Sequence, residues 1–83
     1  MHFNGERRHE WPEFAEELLV MGASKGGWNE ALETKLDLTD SGNKKLNKLA
    51  WAYLTLMLEG DALQEMNMVP SKNAFEVWQH LKW

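Results

Sequence analysis

Residues 20–32 read VMGASKGGWNEAL. Gly22, Gly26 and Gly27 around Lys25 are the residue types that cradle a phosphate. Glycines let backbone N–H groups approach the anion closely, and a lysine supplies counter-charge. The order of the residues argues against that chemistry. A phosphate loop follows a buried strand and carries Gly-Lys-Ser/Thr, whereas no strand pattern precedes this segment and it reads Lys25-Gly26-Gly27. A dinucleotide-binding unit needs strand partners that a chain of this length cannot contain. Gly22 instead falls one residue past an amphipathic run, where a helix C-cap glycine belongs, and residues 22–27 read as a connector.

Three other groups of residues could do chemistry. His2, His9 and His80 are scattered, and no expected helix carries a His-x-x-x-His or Glu-x-x-His motif, so no metal ligand set is implied. Glu13, Glu16 and Glu17 could act as carboxylates in a cleft, but their spacing places them on the polar face of a helix. Lys44, Lys45 and Lys48 form the one basic cluster. Three phosphate contacts give weak, salt-sensitive nucleic-acid binding, and a solvated helix face is the expectation. Catalysis requires a base, a nucleophile or a metal at workable geometry, and no pattern here supplies one. The sequence points to no catalytic residue, no cofactor and no metal.

The elements that would carry these residues are helical. Apolar positions recur at helical spacing throughout, and strand signals are nearly absent. Met1 to Phe3 read as extended, and Asn4-Gly5 as a turn pair. Trp11, Phe14, Ala15 and Leu18 mark one face of a first helix, from about Trp11 to Met21. Pro12 fits only its first turn, where a missing N–H costs nothing. A short second helix carries Trp28, Ala31 and Leu32. Residues 37–43, DLTDSGN, are turn formers in which Asp40, Ser41 or Asn43 can cap the succeeding helix.

That third helix spans Lys44 to about Glu59. Lys44, Lys48, Thr55 and Glu59 share a sector of about 60°, while Leu46, Leu49, Ala50, Trp51, Tyr53, Leu54, Leu56, Met57 and Leu58 surround the rest. A helix apolar over most of its circumference packs on two sides, or else one side is an interface. Gly60 ends it. Asp61 caps a short helix from Ala62 to about Met66, and Pro70 blocks continuation. Ser71 caps a last helix with Ala74, Phe75, Trp78 and Leu81 inward and Lys72, Glu76 and Gln79 outward. The expected fold is all-α: one domain, residues 1–83, a bundle of about five short helices.

Composition sets the remaining bounds. The net charge is −4, and it is uneven. Residues 1–40 hold nine acids against four Lys/Arg, and residues 41–83 hold four acids against five Lys. With no cysteine there is no disulfide framework. No apolar stretch approaches the ~18–20 residues of a membrane span, and residues 1–20 lack the apolar run of a signal peptide. The expectation is an intracellular, cytoplasmic chain that does not itself hold nucleic acid or a membrane.

Taken in order, FNG ahead of Trp11, then NKKLNKLAWAYLTLMLEGDALQEM, then SKNAFEVWQHLKW resemble the Gag polyprotein of copia-type LTR retrotransposons. The likeness runs through Asn47, Lys48, Ala50, Leu54, Leu58, Ala62, Leu63, Ser71, Ala74, Trp78 and Leu81, with loose spacing between Trp11 and Asn47. Pro12 departs from the family's first helix. The resemblance implies an N-terminal capsid lobe with a retroviral-capsid-like fold, continued elsewhere by a C-terminal lobe. It implies a structural protein that self-associates into a particle, weakly as an isolated lobe. Domesticated Gag relatives imply an alternative, a module that takes peptides or partner proteins in an apolar groove.

Core and surface can be assigned from the same pattern. The expected core is Trp11, Phe14, Leu18, Leu49, Tyr53, Met57, Leu63, Phe75, Trp78 and Leu81. A domain this small cannot place every large side chain at its centre, and exposed apolar clusters mark partner surfaces. Trp28, Leu32, Trp51, Met66, Met68 and Trp83 are the expected contact surface or, alternatively, caps on the edges of the core. Met66 and Met68 suit either an adaptable patch or filling beneath Pro70.

Overall fold

A computed structural model describes residues 2–5, 8–69 and 72–81. It is an all-α bundle: α1 (Trp11–Ser24), α2 (Glu30–Glu33), α3 (Ser41–Met57), α4 (Gly60–Asn67) and α5 (Ala74–Leu81), with a 3₁₀ turn at Arg8–Glu10 leading into α1. Among the described residues there is no strand, and one isolated parallel bridge joins Phe3 to Leu58.

The first helix starts as its sequence dictates, with Pro12 in the first turn, where no N–H is needed. It runs to Ser24, past the expected end at Met21. Gly22 is therefore inside the helix and is not its cap. Its carbonyl accepts from the N–H groups of Lys25 (3.3 Å) and Gly27 (2.8 Å). The reversal falls on Gly26 and Gly27, at φ +95° and +77°, in the left-handed region that a β-carbon disfavours. Gly22 serves packing: a β-carbon there would lie 2.9 Å from the Asn29 backbone nitrogen and 3.0 Å from the Trp28 ring.

Helix α3 begins at Ser41 because Asp40 caps it, holding extended φ/ψ while its carboxylate accepts the Asn43 N–H at 3.0 Å. Upstream, Asp37 accepts from both the hydroxyl (2.7 Å) and the N–H (3.0 Å) of Thr39. The hydroxyl bond first, then the backbone bond, holds the Asp37 carboxyl below its usual range.

At its far end α3 stops at Met57, two residues short of the expected Glu59. Leu58 turns extended to bridge Phe3: the Phe3 N–H donates to the Met57 carbonyl and the Glu59 N–H to the Phe3 carbonyl, both at 2.9 Å. Gly60, at φ +52°, opens α4. Asp61 lies in the first turn of α4 and is not its cap. The Asn4 carbonyl takes the Ala62 N–H at 3.0 Å instead. The extended N-terminal residues thus close the α3–α4 junction.

The start of α5 is held from a distance. Asn47, in α3, accepts the Ala74 N–H at 2.8 Å and donates to the Lys72 carbonyl at 3.1 Å. Buried Asn73 accepts the Phe75 N–H at 2.9 Å. The expected cap, Ser71, lies outside the described residues, as does Pro70.

Two aromatic groups organise the core. Phe3, Trp11, Phe14 and Trp78 form one, with Phe3 edge-on to Trp11 (5.2 Å), stacked on Phe14 (5.3 Å), and Trp11 tilted against Trp78 at 4.9 Å. Trp28 and Tyr53 form the other, stacked at 4.6 Å and 14°. The same core contains Leu18, Leu32, Leu54, Leu58, Met66, Val77 and Leu81, all essentially sealed from solvent. Small α2 reaches this core because it packs on both α3 and α5.

Candidate interaction surface

Of the expected core residues, Trp11, Phe14, Leu18, Trp78 and Leu81 are buried. Tyr53, Met57 and Leu63 pack half-buried against them, and Phe75 is half-buried. Leu49 is a correction: it is 43% exposed. It lies across the helix from buried Ala50 and Leu54, so the turn of α3 aims it outward.

Of the six residues that read either as a contact surface or as caps on the core edges, three join the core. Trp28 and Leu32 are fully buried and Met66 is 1% exposed. Trp28 enters the core because the Gly26-Gly27 reversal folds it back beneath Gly22 and onto Tyr53. Its indole N–H is buried without a hydrogen-bond partner among the described residues, and burial of so large a ring offsets the loss. Leu32 is drawn in because α2 sits between α3 and α5. Met66 shares the inward face of α4 with Ala62, while Met68, past its end, is 78% exposed. Trp51 is half-buried. Trp83 lies outside the described residues.

The outward apolar residues that sequence reasoning misses are Leu56 (65% exposed) and Val20. Leu56 does not stand alone. Lys45, Leu49, Ala52 and Leu56 are spaced 4, 3 and 4 apart on α3, and all four are exposed. That spacing keeps one stripe facing outward along a helix. Lys45, Lys48, Leu49 and Ala52 line a shallow apolar groove of about 370 Å³. The signal is present in the sequence: the 3–4 spacing of Leu49, Ala52 and Leu56 runs opposite that of Ala50, Leu54 and Met57.

The polar candidates do not converge. His2 faces Glu59 at 3.8 Å on the surface. His2, Glu10, Glu13 and Glu17 border an open cleft of about 180 Å³ beside Phe3 and Phe14, while Glu16 is exposed elsewhere on the α1 surface. His80 borders a different one, with Glu65, Met68 and Val69. Among the described residues, no three His, Asp or Glu side chains are placed to share a metal ion. Lys25 sits on an exposed turn, and the glycines beside it face open space. Lys44, Lys45 and Lys48 are exposed on the first half of α3. No described helix is long and apolar enough to cross a membrane.

Compared with known proteins, the chain matches no family model, no curated protein and no solved structure.

Proposed function

We propose that this chain is a non-catalytic structural module that works by self-association, in the manner of the N-terminal capsid lobe of a copia-type Gag acting inside the cell. The observation that carries the reading is the outward apolar stripe of α3. A domain that buries Trp28, Leu32 and Met66 leaves Leu49 and Leu56 in water, although α3 has an inner face to take such residues. Exposed apolar groups grouped on one element mark a docking face.

The resemblance is consistent with this arrangement. Ala50, Leu54, Leu58, Ala62, Ala74, Trp78 and Leu81, which carry it, are all buried, and Asn47 ties α3 to α5. These residues build a fold, and the Gag reading supplies its use: copies of the lobe, each followed by a C-terminal lobe, tile a particle.

Sedimentation of the chain from about 10 µM to 1 mM tests the proposal. Association through a small interface is expected, with Kd of about 10 µM to 1 mM. A single monomeric species across the whole series overturns it. The groove beside Lys45 and Lys48 also supports a second reading, a module that takes an acidic amphipathic peptide. That reading expects a monomer whose Lys48 and Ala52 amide resonances shift on peptide titration.

A further inference from the structure

The stripe on α3 has a polarity as well as an apolar content. At 100° per residue, Lys45, Leu49, Ala52 and Leu56 fall within about 60° of one another. Apolar contacts at this spacing form the seam by which two helices pack along their length. Small Ala52 sits midway between Leu49 and Leu56, where a close approach of two helices is easiest.

Charge along the same helix is arranged against its own dipole. Lys44, Lys45 and Lys48 occupy the N-terminal half, whose end is electropositive, and the last turn carries no base. On a lone helix this order is unfavourable. Against a reversed copy of itself it is complementary: each lysine cluster meets the negative end of the other helix.

We propose, on the basis of the self-association reading, that two copies of this chain pair antiparallel along α3. Ala52 lies at the two-fold axis, Leu49 of each copy packs beside Leu56 of the other, and Lys45 and Lys48 face the far end of the opposing helix. The pairing is isologous, so one stripe serves both copies. A parallel pairing would stack the lysine clusters on each other, and like charges directly opposed are destabilising. A 17-residue helix is about 25 Å long. A seam of that length with three apolar positions belongs to the small, weak class of interface.

The absence of cysteine makes the geometry directly readable, because single cysteines can be introduced one at a time. Leu56→Glu changes a residue 65% exposed, so helix content by circular dichroism should match the parent. In sedimentation the variant should raise the dimer Kd at least tenfold, which corresponds to about 1.4 kcal/mol. Under mild oxidation Ala52→Cys should form disulfide dimers, and Lys45→Cys should not, since antiparallel pairing separates the two copies of residue 45. Val20→Cys, exposed on α1, serves as the control for random collision.

Association that survives Leu56→Glu unchanged overturns the α3 pairing while leaving self-association standing. Cross-linking through Lys45→Cys as efficient as through Ala52→Cys overturns the antiparallel arrangement. A parent chain that stays monomeric to 1 mM overturns both this pairing and the reading beneath it. A monomer that instead binds an acidic helical peptide on the α3 stripe assigns that face to a different partner and also overturns the pairing.

Discussion

At the level of single residues, the structure turns on side chains that connect distant parts of the chain. Asn47 satisfies an N–H and a carbonyl more than twenty positions away, at the entrance to α5. Its immediate sequence context gives no hint of this, since the residues it bonds lie 25 and 27 positions on. Local hydrogen bonding is what makes Asn favour caps, and here the cap it forms belongs to another helix. Asn47→Ala removes both bonds and leaves the first N–H of α5 unpaired. A loss of about 1–2 kcal/mol is expected in urea unfolding, with faster hydrogen exchange concentrated at Ala74 to Val77. A substitution that loosened α3 as strongly as α5 would contradict the connection.

At the level of elements, periodicity in the sequence locates all five helices, and its errors fall at their ends. The end of α1 is misplaced because Gly22 carries two meanings. A glycine after an amphipathic run signals a C-cap, but it also permits close approach, and only tertiary contacts decide between them. Here Trp28 and Asn29 come back against it. The end of α3 is misplaced because its terminator is the Phe3 backbone, which no local pattern in α3 records. Whether Trp28, Leu32 and Met66 form a surface or join the core stays open in the sequence for a related reason: helical spacing gives a face, but which face is inner depends on where α2 sits. Gly22→Ala tests the close approach. In a helix interior Ala should stabilise by up to about 1 kcal/mol. At Gly22 the new methyl meets backbone at 2.9 Å, and overpacking of this kind costs about 1–3 kcal/mol. Thermal unfolding should therefore show destabilisation. A rise in Tm would mean that α1 and the Trp28 turn are not in contact as described.

At the level of the whole molecule, the two ends of the described chain share one core. Phe3 packs on Trp11 and Phe14, Trp11 packs on Trp78, and the Phe3 backbone closes the α3–α4 junction. The Cα radius of gyration, 11.8 Å, matches the ~12 Å expected of a compact chain of this length. A molecule tied together in this way should unfold in one step. Phe3 is 3% exposed, and Phe3→Ala should cost about 3–5 kcal/mol. For a domain of this size each 1 kcal/mol shifts Tm by about 4–8 °C, so Tm should fall by more than about 12 °C. The transition should stay single, and protection of the Glu59 and Ala62 amides should be lost first, because their acceptors are the carbonyls of Phe3 and Asn4. A small shift, under about 1 kcal/mol, would mean that the N-terminal residues merely lie on the surface. The outcome also bears on assembly. If Phe3 fixes where α3 ends, it fixes where Leu56 stands relative to Glu59. Loosening that junction should then weaken self-association even though Phe3 lies inside the core and outside the α3 stripe.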